Sequence, residues 1–136
     1  MSNISIQVYK TFEADVSKGL VPSTIYDIFL DETVIGKLSL RIGDNENIYY
    51  GGHLGYTIDE PYRGNNYAYQ ACMALKEIAI EKGLTHIIIT CNPDNMASKR
   101  VCEKLGAQLI EEVDVPEYND MYQRGEKKKI RYRWTL

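Results

Sequence analysis

Ile58-Asp59-Glu60-Pro61-Tyr62-Arg63-Gly64-Asn65-Asn66-Tyr67-Ala68 joins two stretches of different hydrophobic period, and that change decides the fold. Residues 49–58 before it read as a strand, closed by Asp59, Glu60 and Pro61. Over residues 68–82 the apolar positions are Ala68, Ala71, Cys72, Leu75, Ile78 and Ala79. That is the i, i+3, i+4, i+7 spacing of an amphipathic helix, and Gly83 fits just past its end. Residues 86–91 form a nearly continuous apolar, β-branched run, typical of a central strand buried on both faces. Two strands joined by one helix predict a parallel pair with a right-handed crossover. Ligands of such units bind outside the carboxyl ends of the strands, which places the site at the quoted turn.

Working outward, residues 4–12 and 24–30 alternate apolar and polar side chains, as half-buried strands do. Asp31-Glu32 is a short break, and residues 34–41 read as the second arm of a hairpin. Residues 43–47 read as a turn. Residues 95–104 form a second helix stopped by Gly106, and residues 107–113 a strand. Ile130, Tyr132 and Trp134 alternate with Arg131, Arg133 and Thr135 in a final, half-exposed strand. The predicted class is α/β of the α+β kind: a mixed, mostly antiparallel central sheet with one parallel strand pair and helices on both faces. Without repeats or linkers, residues 1–136 read as a single domain.

Composition excludes several classes. Hydrophobic residues make up 44% and charged residues 26%, a globular balance. The net charge of -3 argues against a nucleic-acid partner, which needs a basic surface. The basic run Lys127-Lys128-Lys129 reads as a solvated strand start. No apolar run is long enough to cross a membrane, and Met1 to Ser5 carry no secretion-signal pattern. Cys72, Cys91 and Cys102 show no metal-ligand spacing and no closed disulfide set, so no metal and a reducing, cytoplasmic setting are expected.

The turn itself suits an anion. Unpaired N–H groups at a helix start and the positive end of its dipole attract phosphate. Gly64 allows close backbone approach, Asn65 and Asn66 tolerate left-handed geometry, and Arg63 adds a charged donor. On residue types alone, a tight connection with no ligand remains the alternative. The turn is neither a Walker loop nor a dinucleotide fingerprint.

Residues 61–68 resemble the coenzyme A signature of the GCN5-related N-acetyltransferase (GNAT) superfamily, Gln/Arg-x-x-Gly-x-Gly/Ala. Arg63 matches the first position and Ala68 the last, while Asn66 stands where the family has its middle glycine. Residues 95–107 are similar to the family's Asn-x-x-Ser/Ala-x-x-x-x-Glu-Lys-x-Gly-Phe helix, with Ala107 in place of Phe. With Ser98 present, this form resembles most the branch that acetylates ribosomal proteins. The resemblance implies the acyl-CoA N-acyltransferase fold and acetyl-CoA as cosubstrate. It implies pyrophosphate binding by the backbone of Gly64, Asn65, Asn66, Tyr67 and Ala68, with Arg63 beside them. Thr57 and Ile58 would pair with the pantetheine arm, and the Ile58 N–H would polarise the thioester carbonyl. Asn95 would bond the arm, its plain alternative being a helix N-cap. Asn92 and Ser98 are further candidates, with a turn and a surface serine as their alternatives.

Direct transfer needs a neutral amine, oxyanion donors and, in many relatives, an acid for the leaving thiolate. The family's tyrosine position holds Cys102 here, a thiol that could donate but more often packs as a small hydrophobe. His53, on the predicted strand leading to Ile58, is the candidate base, with a hydrogen-bonded structural histidine as its alternative. The family usually places two helices between its first two strands, but only residues 13–23 separate them here, so at most one short helix fits and the acceptor side is expected to be less enclosed, or walled by a partner subunit. The acidic, aromatic segment 116–122 is a candidate contact for a cationic amine, or else a solvated loop. The competing function is a module of the same fold that binds or senses coenzyme A without catalysis. A homodimer is open to the chain if the exposed final strand, with Tyr132 and Trp134, meets a partner.

Overall fold

Alternating side chains in the first half build an antiparallel meander in the computed structural model, which describes residues 3–136. Strands β1 (Ile4–Phe12), β2 (Ser23–Leu30), β3 (Thr33–Arg41) and β4 (Leu54–Ile58) lie in spatial order β1-β2-β3-β4. Their inward positions, Tyr26 and Ile28 on β2 and Ile35, Leu38 and Leu40 on β3, are buried. The link from β1 to β2 holds only a 3-10 turn, Val16–Lys18, as its length predicts.

The second half supplies β5 (His86–Cys91), β6 (Gln108–Asp114) and β7 (Lys128–Thr135), in a separate antiparallel sheet of order β5-β7-β6. Helix α2 (Tyr67–Glu81) packs on β1 and β4 and touches α3 (Met96–Lys104), which lies on β5. The predicted apolar stripe is the buried one: Ala71, Cys72, Leu75 and Ala79 are fully enclosed. They share one core with Ile87, Ile89, Cys102 and Trp134. A four-residue helix, α4 (Asp120–Gln123), interrupts the loop before β7.

Three expectations are corrected. Residues 46–51 form helix α1 (Glu46–Gly51) rather than the end of a turn and the start of a strand. The Asn45 side chain accepts the Ile48 N–H at 3.1 Å as an N-cap, and Ile48 is buried beneath it. Gly52, at φ 77°, then turns the chain so that β4 begins only at Leu54.

The expected parallel pair is not a ladder. All strand pairings among the described residues are antiparallel, and β4 belongs to one sheet while β5 belongs to the other. The two approach at a single seam. His53 donates its backbone N–H to Ile88 O at 2.8 Å, and the Ile88 N–H donates to the His53 ring Nδ1 at 2.9 Å. An imidazole thus takes the place of the next backbone acceptor, and no ladder continues beyond the seam. A Cβ on Gly52 would lie 2.8 Å from Ile88 O, so this approach requires glycine.

The last strand is half-exposed as read, with Arg133 and Thr135 outward, but its apolar face is not free to meet a partner. Strand β7 lies between β5 and β6, and Tyr132 and Trp134 are buried, so the dimer surface expected there is absent. The edge strands of that sheet are β5 and β6, and on β6 Leu109 and Ile110 are exposed.

Candidate active site

Because β4 and β5 part after His53, the far edge of β4 lacks a partner strand. Backbone groups alternate sides along a strand. The Asp59 N–H reaches back to Ile35 O on β3 at 2.7 Å, so Ile58 and Tyr56 point their N–H groups toward the open edge. A cleft of about 610 Å³ runs along it. Thr57, Ile58, Arg63, Gly64, Asn66, Tyr67 and Ala68 line it from the turn, and Asn95 and Ser98 from α3.

The turn has the conformation its residues allow. Asn66 takes a left-handed φ of 69° where the family signature has glycine, and Gly64 sits at φ 83° with open space where a side chain would be. No side chain caps α2. The Asn66 carboxamide instead accepts from Lys104 Nζ at 2.5 Å, leaving the first N–H groups of α2 uncapped. The Asn65 amide donates to Tyr62 O at 3.0 Å, so its side chain braces the turn; it does not line the cleft. Arg63 donates through Nε to Ile58 O at 2.7 Å, tying the turn to the end of β4. Arg100 and Lys104, which the motifs left unnoticed, also line the cleft, and no carboxylate does. Their i, i+4 spacing on α3 was visible, but nothing in the sequence said that this face opposes the turn. Three cations and a free helix N-terminus fit a pyrophosphate.

A second cavity of about 280 Å³ shares Tyr56, Asn95 and Ser98 with the cleft. Tyr56, also missed, donates its hydroxyl proton to Ser98 Oγ at 3.1 Å, and burial pushes its phenol well above the ordinary value. Asn95 Oδ1 accepts the Ser98 N–H at 3.1 Å as the N-cap of α3, so its amide N–H groups remain to face the cleft. Asn92 moves from the expected cofactor side to the second cavity, where its Oδ1 accepts from Lys129 Nζ at 2.7 Å.

Both titratable candidates are placed elsewhere. His53 lines neither cavity. Its Nδ1 accepts from Ile88 and its Nε2 donates to Gly43 O at 2.9 Å, which defines the neutral Nε2–H tautomer. Burial lowers its pKa, opposed by the Gly43 bond and helped by His86, Arg41 and Arg131. With both nitrogens engaged, no lone pair remains to take a substrate proton. Cys102 is fully buried in the core, with its thiol pushed up to about 12 by burial. It touches neither cavity, because the face of α3 that carries it is the one packed inward. Segment 116–122 contributes Met121 to the second cavity and no acidic side chain.

A sheet split beside a cationic strand-to-helix turn defines the acyl-coenzyme A N-acyltransferase class. Residues 7–108 match the acetyltransferase (GNAT) domain family, and the chain belongs to that family. A stretch of 62 residues is 37% identical to an uncharacterized N-acetyltransferase, YnaD of Bacillus subtilis, spanning 43% of this chain and 36% of that relative. Among solved structures, RimL, the ribosomal L7/L12 alpha-N-protein acetyltransferase in complex with coenzyme A, superposes with a TM-score of 0.66 at 24% identity. The superposition covers 88% of this chain and 64% of RimL. The microcin C7 self-immunity acetyltransferase MccE, in complex with acetyl-CoA and AMP, has a TM-score of 0.66 at 20% identity, covering 84% of this chain and 61% of that one. Among the described residues no helix is long and apolar enough to cross a membrane.

Proposed function

We propose that the chain transfers an acetyl group from acetyl-coenzyme A directly to an amine. The observation that carries this reading is the pair of cavities meeting at Tyr56, Asn95 and Ser98, one electropositive and bordered by the family turn, the other open for an acceptor. The pyrophosphate rests on the backbone of residues 64–68, with Arg63, Arg100 and Lys104 around it. The pantetheine arm lies along the free edge of β4, bonded by Ile58 and Asn95, while Thr57, whose backbone faces β3, only borders it. The Ile58 N–H points at the growing oxyanion of the thioester carbonyl.

Cys102 and His53 take no part. Tyr56 donates to Ser98, which polarises the serine hydroxyl and leaves its proton free to hydrogen-bond the departing thiolate, whose protonation is balanced by the proton that the attacking nitrogen loses on forming the amide. The acceptor reaches the carbonyl as a free amine, its proton lost to solvent, since His53 has no free nitrogen. The expected setting is the cytoplasm.

The alternative, a module that binds coenzyme A without catalysis, draws on the engagement of both predicted acid–base side chains in packing. The shared wall between the cavities favours transfer. A thiol-release assay with acetyl-coenzyme A and a panel of amines separates the two readings. Turnover is expected; tight cofactor binding with no turnover on any amine identifies the module. Arg63→Glu is expected to weaken coenzyme A binding by about tenfold or more in calorimetry, because a carboxylate would face the phosphates. Unchanged affinity removes the turn from the site.

A further inference from the structure

The segment ahead of β7 was expected to offer acidic groups to a cationic amine. The second cavity has the opposite charge. Three cationic side chains, Arg41, Arg124 and Lys129, line it against one carboxylate, Glu126. That carboxylate is already taken. Lys129 Nζ lies 2.7 Å from Glu126 Oε1, and Arg124 Nη2 lies 3.0 Å from Oε2. The Lys129 bond foremost, and then Arg124, hold Glu126 below its ordinary range, so it stays charged and committed.

Arg41 has no such partner. Its Nη1 donates to Gly51 O at 3.2 Å and Gly52 O at 2.9 Å, and its Nη2 reaches only Ser39 Oγ at 3.5 Å. Among the described residues it forms no ion pair, although it is partly buried and burial lowers its pKa. The space it occupies is prepared by Gly55: a Cβ there would lie 2.9 Å from Arg41 Nη2. A buried guanidinium held by carbonyls, without a counter-ion, is costly unless an anion joins it.

We infer that the acceptor is a small amine that also carries an anionic group, an amino-acid-like carboxylate being the first choice, and that Arg41 is the side chain that receives this group. The inference rests on the acetyl-transfer reading and names the substrate class of that site. Tyr56, Asn95 and Ser98 border both cavities and mark the end where the amine meets the carbonyl. Arg41, Arg124 and Lys129 line the second cavity and not the cleft, so a molecule reaching from the shared wall into that cavity presents its amine to the wall and its anion to Arg41. A space of about 280 Å³ suits a molecule of amino-acid size.

The test uses matched amines in the thiol-release assay: β-alanine against β-alaninamide, and 2-aminoethyl phosphate against ethanolamine. The anionic member of at least one pair is expected to have a kcat/KM about 10-fold or more above its neutral twin, and the pair that shows it tells carboxylate from phosphate. Arg41→Gln is expected to bring that ratio below about 3-fold, with coenzyme A affinity by calorimetry unchanged. Gly55→Ala, which displaces the guanidinium while keeping its charge, should lower the same ratio and serves if Arg41→Gln does not fold. Equal or better use of both neutral amines overturns the inference. If coenzyme A binds but no amine turns over, the same pairs are compared for binding to the coenzyme A complex by ligand-observed NMR, where no preference for an anion overturns it as well. An anion preference without any coenzyme A binding would instead sink the acetyl-transfer reading and leave the anion site standing.

Discussion

His53 takes the second of the two roles its sequence position allowed, the hydrogen-bonded structural histidine. Its imidazole replaces a strand in the seam, accepting from Ile88 and donating to Gly43. His53→Ala removes both bonds and is expected to cost about 2–4 kcal/mol in urea unfolding, because it orphans two backbone groups at a partly buried site. The pH dependence has a definite sign. The unfolded chain binds the proton near its ordinary value of 6.5, and the native chain only at lower pH. The unfolded state therefore holds more protons in that window, and stability falls as pH drops below about 6.5. Native protein should lose this contribution between pH 7 and pH 5, and His53→Ala should show a flatter profile. Parallel profiles for the two proteins would mean that His53 does not carry it. Asn66 is a simpler case. Its φ of 69° predicts that Asn66→Gly stays within about 1 kcal/mol, while Asn66→Val loses about 1–2 kcal/mol in thermal melts.

At the level of elements, the site depends on β3 holding β4 in place. Gly36 lies opposite Ile58 in the ladder, and a Cβ there would fall 2.1 Å from Thr57 O. Gly36→Ala is expected to push β4 away, costing about 2 kcal/mol or more and weakening coenzyme A binding together with it. A stable variant with native affinity would show that β4 can shift without moving the Ile58 N–H. The sequence identified α2, β5 and α3 closely, because each has a long periodic or continuous apolar pattern. It misread residues 46–51 because Ile48, Tyr49 and Tyr50 have β-type side chains. Their conformation is set instead by the Asn45 cap and the Gly51-Gly52 exit.

For the molecule as a whole, the two sheets joined at one seam shape the candidate site. The seam keeps β4 and β5 together at His53, and their divergence beyond it leaves a free edge on β4 and cavities on either side of Tyr56 and Ser98. If the amine is deprotonated by solvent, kcat/KM should rise with pH along the acceptor's own amine titration and should show no step near 6.5. A bell-shaped profile centred near that value would point to a histidine base after all. The strand-to-helix turn and the Asn95 helix were legible from sequence, since backbone geometry and helix starts depend on local residue types. The amphipathic period of α2 and the glycine–asparagine turn before it determined, without any tertiary knowledge, where the strand-to-helix turn falls, the place proposed for a phosphate-bearing ligand. Only the tertiary structure decided that His53 closes a seam, that Cys102 is core, that β7 is central, and that the second cavity is cationic. Each of those depends on which distant segments meet, and burial, hydrogen-bond partners and net cavity charge are properties of that meeting rather than of any one stretch of chain.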